Sequence, residues 1–219
     1  SLQNVTTTGV QTYGENATLN GTYTTTNSAF TASGTTTLAG VTTVTTGSAG
    51  DVTFTGAVDG GQTLTVVTTG ATLFSAAVGG TTALTSLITN PGGSVSLQNV
   101  TTTGVQTYGD ATAALNGTYA TTNNNFTVSG AATIAADTTV NTGAGAGNIS
   151  FASIANGAAF DLALTSGTGT VAASGAVSVT DLTLNATGGS TFGGNVTVND
   201  LVVRANANAV TLNGSANTF

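Results

Sequence analysis

Residues 1–14 read SLQNVTTTGVQTYG, and residues 96–109 read SLQNVTTTGVQTYG again without one change. The likeness continues as LNGTYTTTNSAFTASG at 19–34 and LNGTYATTNNNFTVSG at 115–130. Tyr13 thereby corresponds to Tyr108, Tyr23 to Tyr119, Phe30 to Phe126 and Phe54 to Phe151. A chain that repeats itself at a fixed long period is built as an array or a solenoid, because one unit cannot bury its apolar face alone. The pattern predicts two long repeats, 1–95 and 96–190, and a partial third, 191–219, in one continuous solenoid.

A shorter period lies inside the long one. VSVTDLTLNA at 177–186 is followed by VTVNDLVVRA at 196–205, so Val198 follows Val179 at the same interval as Leu201 follows Leu182. Leu64 to Leu84 and Phe54 to Phe74 are wider by a single position. Five such units fill one long repeat, which predicts coils of about 19–20 residues and about eleven coils in all. Within each unit apolar residues alternate with Thr or Ser, as in VTF, LTV and VTL. That is the period of a half-buried strand, and Thr and Val suit a pleated surface. Asn-Gly, Gly-Gly and Asn-Asp pairs punctuate the strands as turns do. The class is therefore all-β, a parallel β-helix, right-handed by the default for parallel crossovers. Val52, Phe54, Leu64, Val66, Val196, Val198, Leu201, Val203, Val210 and Leu212 are expected to face inward.

Composition fits this architecture. Only 4% of the 219 residues are charged, and there is no His and no Cys. Stacked parallel strands bring equivalent side chains within ~4.8 Å, where like charges repel. Thr, 51 residues, and Asn stack without that penalty. The same counts exclude thiol chemistry, Ser-His-Asp hydrolysis and imidazole metal sites. Arg204 is the one basic residue, which excludes nucleic acid as a partner. No run reaches the ~18 apolar residues of a membrane-spanning helix. Without His, Cys or Lys little titrates between about pH 5 and 9, so stability is expected to be flat there. The repeat breaks off at both termini, which predicts either a slice of a longer solenoid or subunits that stack head to tail.

The blocks AVGGTTALTSL at 77–87 and VTTTGVQTYG at 5–14 and 100–109 are similar to the repeats of very large secreted bacterial β-strand-repeat proteins. These are the filamentous-haemagglutinin-like and autotransporter-passenger-like adhesins. The resemblance implies a right-handed β-helix, export to the surface of a Gram-negative-type cell, and a role as stalk, adhesin or matrix fibre.

Individual residues offer little catalytic promise, and no catalytic, cofactor or metal residue is assigned. Glu15, Asp51, Asp59, Asp110, Asp137, Asp161, Asp181 and Asp200 are scattered. Asp181 and Asp200 recur one coil apart, where paired carboxylates suit acid–base work or Ca²⁺. The plainer reading of each is a turn residue bonding its own backbone. Arg204 is expected to pair with an acid or to be solvated. GAGAG at 143–147 lacks the Lys of a phosphate loop and reads as a turn. TTT at 6–8, 24–26, 35–37 and 101–103 raises an ice-binding Thr array, but along the sequence the threonines hold no common register. Asn4, Asn16, Asn20, Asn99, Asn116, Asn125, Asn148, Asn185, Asn195 and Asn213 open Asn-x-Ser/Thr sequons. The expected function is structural or adhesive and not enzymatic, in an extracellular filament or surface adhesin. Its partners would be further copies of itself and a host or abiotic surface or glycan. The alternative is a solenoid face that binds ice or carbohydrate.

Overall fold

A computed structural model describes residues 2–157, 159–204 and 207–219. Among them there is no helix, and every strand pairing is parallel. The chain winds as a β-solenoid of about ten coils, each contributing three short strand segments that stack on their equivalents in the next coil. Three columns of register partners, inward-facing up to the last coil, trace the three faces. On face 1 the column runs Gln11, Phe30, Val52, Thr72, Val95, Ala113, Ala132, Ile154, Val177, Val196. Face 2 runs Ala17, Thr36, Val58, Val78, Val100, Tyr119, Val140, Leu164, Leu184, Val203. Face 3 runs Val5, Tyr23, Val44, Val66, Thr89, Tyr108, Val128, Phe151, Ala173, Phe192, Leu212.

The coil is less regular than the sequence spacing predicts. One turn of the solenoid runs only from Leu2 to Leu19, another all the way from Val140 to Leu164. Corners of unequal length absorb much of the difference. The larger mean coil reduces the expected eleven coils to about ten. Phe54 does stack on Phe74, and Leu182 on Leu201. Leu64, however, pairs with Leu87 and not with Leu84.

The long repeat is likewise not five coils. From Gln11 on face 1, four full coils lead to Val95 on face 1, and Gln106 lies two faces further, on face 3. The repeat spans four and two-thirds coils, so its second copy is rotated by one face against the first.

Local structure survives the rotation. In the first copy the Gln11 Nε2 donates to Val5 O at 3.1 Å and Thr24 O at 2.9 Å, while the Tyr13 hydroxyl donates to Gln11 Oε1 at 3.1 Å. In the second, Gln106 Nε2 donates to Val100 O at 3.3 Å and Ala120 O at 2.8 Å, and the Tyr108 hydroxyl to Gln106 Oε1 at 3.1 Å. Tyr23 and Tyr119 each accept a backbone N–H three residues back, from Asn20 and Asn116. Ring centroids lie 5.4 to 6.1 Å apart among Tyr13, Tyr23 and Phe30, and 5.6 to 6.4 Å apart among Tyr108, Tyr119 and Phe126. These edge-on and tilted contacts are the favoured aromatic geometries. Buried polar groups that are fully paired fix one arrangement of a core, since each left unpaired costs about 1–3 kcal/mol.

The bore is mainly apolar, interrupted by buried Gln11, Thr36, Thr72, Thr89 and Gln106. Of the residues expected inside, Val52, Phe54, Leu64, Val66, Val196 and Val198 are buried. Leu201, Val210 and Leu212, in the last coil, are partly buried, and Val203 is 44% exposed, so it corrects the expectation. Two devices close the corners. Thr25, Thr46 and Thr68 turn their hydroxyls onto carbonyls of the first copy's corners, Thr46 and Thr68 both onto Gly50 O. Thr121, Thr142 and Ser166 do the same in the second, on Asn124, Gly147 and Gly169. The second device sets Asn over Gly of the following coil. A Cβ on Gly21 would stand 2.4 Å from Asn4 Oδ1, and one on Gly117 2.2 Å from Asn99 Oδ1. Both glycines have φ near +100°, so backbone freedom and absent side chain are needed together.

Candidate functional site

The carboxylates are part of the frame. Asp51 Oδ1 accepts the Ala71 N–H at 2.8 Å, Asp59 Oδ1 those of Thr81 and Thr82 at 2.8 and 2.9 Å, and Asp137 Oδ1 that of Asp161 at 3.1 Å. Each acceptor reaches one coil onward, so the expected turn residue bonding its own backbone is corrected to a staple between coils. Asn4, Asn16, Asn99, Asn125, Asn148 and Asn195 staple in the same way, to Thr22, Thr35, Thr118, Asn148, Thr170 and Ala216. Six of the ten sequon asparagines thus carry a structural bond through Oδ1. Backbone donors at corners have no ladder partner, and an Asn or Asp oxygen supplies one.

Asp181 and Asp200 are register partners on adjacent coils, as their spacing predicts. Among the described residues no group of three or more metal-ligating side chains forms. Glu15 is exposed, and so is Arg204. Asp110 is the exception among the acids. It is 1% exposed at the corner between faces 3 and 1, and its Oδ2 accepts the hydroxyl of Thr89 from the coil before. Burial raises its carboxyl above the ordinary range, and the Thr89 hydrogen bond acts in the opposite direction. Burial also pushes up the phenols of Tyr108 and Tyr119, that of Tyr108 helped by its neighbour Tyr119. Gln106, Asp110 and these tyrosines sit inside the wall of the rod, where no cleft reaches them.

The outward positions hold what the molecule can offer a partner. On face 3, Thr22, Thr43, Thr65, Ile88, Thr107, Thr127, Ser150, Ala172, Thr191 and Thr211 are successive register partners in one outward column. The threonines therefore do share a register, contrary to their appearance along the sequence. The variable corners hide it. A second column, Thr6, Thr24, Thr45 and Val67, runs beside it over four coils. Face 1 carries Thr12, Thr31 and Thr53 in register as well, until Leu73 ends the run.

The surface is dented in the C-terminal half, along the corner between faces 2 and 3. The corner from Val140 to Ile149 is longer than the next, from Leu164 to Val171. Its backbone stays stacked on the next coil, where the Thr168 N–H donates to Gly145 O at 3.0 Å and to Ala144 O at 3.4 Å. Beside its Gly143–Ala144 end lies an open groove of about 430 Å³ lined by Asn141, Thr165 and Asn185, which are register partners, and by Ala144, Gly167 and Thr168 among others. A smaller depression of about 300 Å³ flanks it on face 3, beside Thr170, Thr191 and Thr211.

No protein-family model, curated protein or solved structure matches the chain.

Proposed function

We propose that the chain is a structural and adhesive segment of a secreted bacterial surface adhesin or extracellular filament. The observation that carries the reading is the stack of parallel coils, in which core, corner amides and carboxylates hold one coil on the next and corner hydroxyls close each turn. Ten coils at ~4.8 Å each make a rod about 45–50 Å long. Such a rod spaces, coheres or attaches. The partner its edges suit is another coil of the same kind, which continues both the hydrogen-bond ladders and the apolar bore. The resemblance of 5–14, 77–87 and 100–109 to secreted β-strand-repeat adhesins points the same way and supports an extracellular, cell-surface location. The test is display of the chain as an outward rod on a non-adherent bacterium. Cell–cell clumping or retention on glass or glycan-coated surfaces is expected to rise, and no gain in any of these refutes the reading.

The face 3 threonine column favours ice as a second reading, since seven of its ten rungs repeat a threonine's hydroxyl and methyl without charge. Ile88, Ser150 and Ala172, which interrupt the column, count against it, because an ice-binding solenoid needs one unbroken plane. A thermal-hysteresis assay is expected to show no activity.

A further inference from the structure

We propose that the open groove beside Gly143 and Ala144 is a binding site for a neutral oligosaccharide lying along the rod. Its volume of about 430 Å³ falls in the ~300–1,000 Å³ range of ligand sites. Asn141, Thr165 and Asn185 form three rungs of one outward column, ~4.8 Å apart, a rise comparable with the length of one hexose unit. The side chains of Thr165, Thr168 and Asn185 make no hydrogen bond within the described residues, although most corner polar groups nearby are committed. Asn141 spends only its Oδ1, on the Gly143 N–H at 2.8 Å, and keeps its amide donors. The groove thus presents unpaired donors and acceptors together, the requirement of a sugar hydroxyl, which gives and takes a hydrogen bond at once. Ala144 and Gly167 supply a smooth, weakly apolar wall for the C–H edges of a sugar ring. No charged residue lines the groove, so it holds nothing to favour a phosphate, a sulfate, a carboxylate or a cation. The structural reading does not depend on this site, since a rod without a glycan still spaces and coheres.

The test is an immobilised array of neutral glucan, mannan and galactan oligosaccharides beside sialylated and sulfated ones, probed with the whole chain. Retention is expected on neutral members and should persist in about 0.5 M salt, where charge attraction is screened. Thr165→Val and Asn185→Ala should each weaken it about five- to tenfold, the loss of one hydrogen bond. Thr12→Val, on face 1, should leave it unchanged. Thr165 and Asn185 carry no internal side-chain bond, so both variants should melt with the parent, which separates lost binding from lost fold. Absence of binding to every glycan, preference for the acidic ones, or equal weakening by Thr12→Val overturns the proposal.

Discussion

Replacing Gln106 by Leu removes the centre of the second copy's polar cluster while keeping its bulk. Gln106 is fully buried, with Nε2 2.8 Å from Ala120 O and 3.3 Å from Val100 O, and with Oε1 accepting the Tyr108 hydroxyl. Loss of its own bonds costs about 1 kcal/mol net, and the Tyr108 hydroxyl, left without a partner in a site closed to water, adds about 1–3 kcal/mol. The single substitution should therefore destabilise by about 2–4 kcal/mol. Adding Tyr108→Phe removes the orphaned hydroxyl, so the double variant should be about 1–2 kcal/mol more stable than Gln106→Leu alone. Gln11→Leu should cost less than Gln106→Leu, because Tyr13 is only partly buried and its hydroxyl can turn to water. Urea unfolding followed by circular dichroism gives the energies. Hydrogen exchange at the amides of residues 100–126 shows whether the loss is local, as solenoid repeats unfold in neighbouring units. A loss under about 0.5 kcal/mol for Gln106→Leu, or a double variant less stable than it, would mean that the cluster does not act as a unit.

Gly117→Ala forces a Cβ to within 2.2 Å of Asn99 Oδ1 at a φ of +106°, so it should expel the Asn99 side chain from Thr118 N–H and cost about 1–3 kcal/mol by thermal or urea melting. Phe126→Ala, which empties the space between Tyr108, Tyr119 and Phe151, should cost about 3–5 kcal/mol, whereas the outward Thr127→Ala should stay within about 0.5 kcal/mol. The raised carboxyl of Asp110 means that the fold favours its neutral form. That contribution is whole below about pH 4 and is lost as pH rises through the folded value, at up to ~1.4 kcal/mol per pH unit. Asp110→Asn should abolish this slope and raise the melting temperature at neutral pH, and an unchanged slope would remove Asp110 as its source. The tyrosines act at the other extreme. With the Tyr108 and Tyr119 phenols held up by burial, stability should hold to about pH 10 and then fall by up to ~1.4 kcal/mol per pH unit for each, read as a drop in urea midpoint.

The strands were legible because alternation of β-branched and polar residues is a local signal. Val52, Phe54, Leu64 and Val66 face inward as their pattern requires. Register was not legible, because it depends on corner lengths that carry no fixed signature. The turn from Val140 to Leu164 is far longer than that from Leu2 to Leu19, and Leu87 rather than Leu84 completes the coil begun at Leu64. The same drift concealed the face 3 threonine column and the partners of the acids. A bond from Asp59 to Thr81 joins two coils and looks in sequence like two unrelated turns. The flat stability expected from pH 5 to 9 rested on composition alone. Composition does not reveal that Asp110, after Gly109, is buried while Glu15, after the matching Gly14, is exposed. The groove went unseen for a related reason, since its lining comes from successive coils and from no motif in any one of them.

The one-face rotation between the repeats decides on which side of the rod equal sequences come to lie. The aromatic cluster is centred on face 1 at Gln11 and on face 3 at Gln106, and a further repeat of the same length would bring it to face 2. A residue repeated identically in the two copies therefore points in two directions about the axis, so the same substitution in each copy alters two different sides of the solenoid.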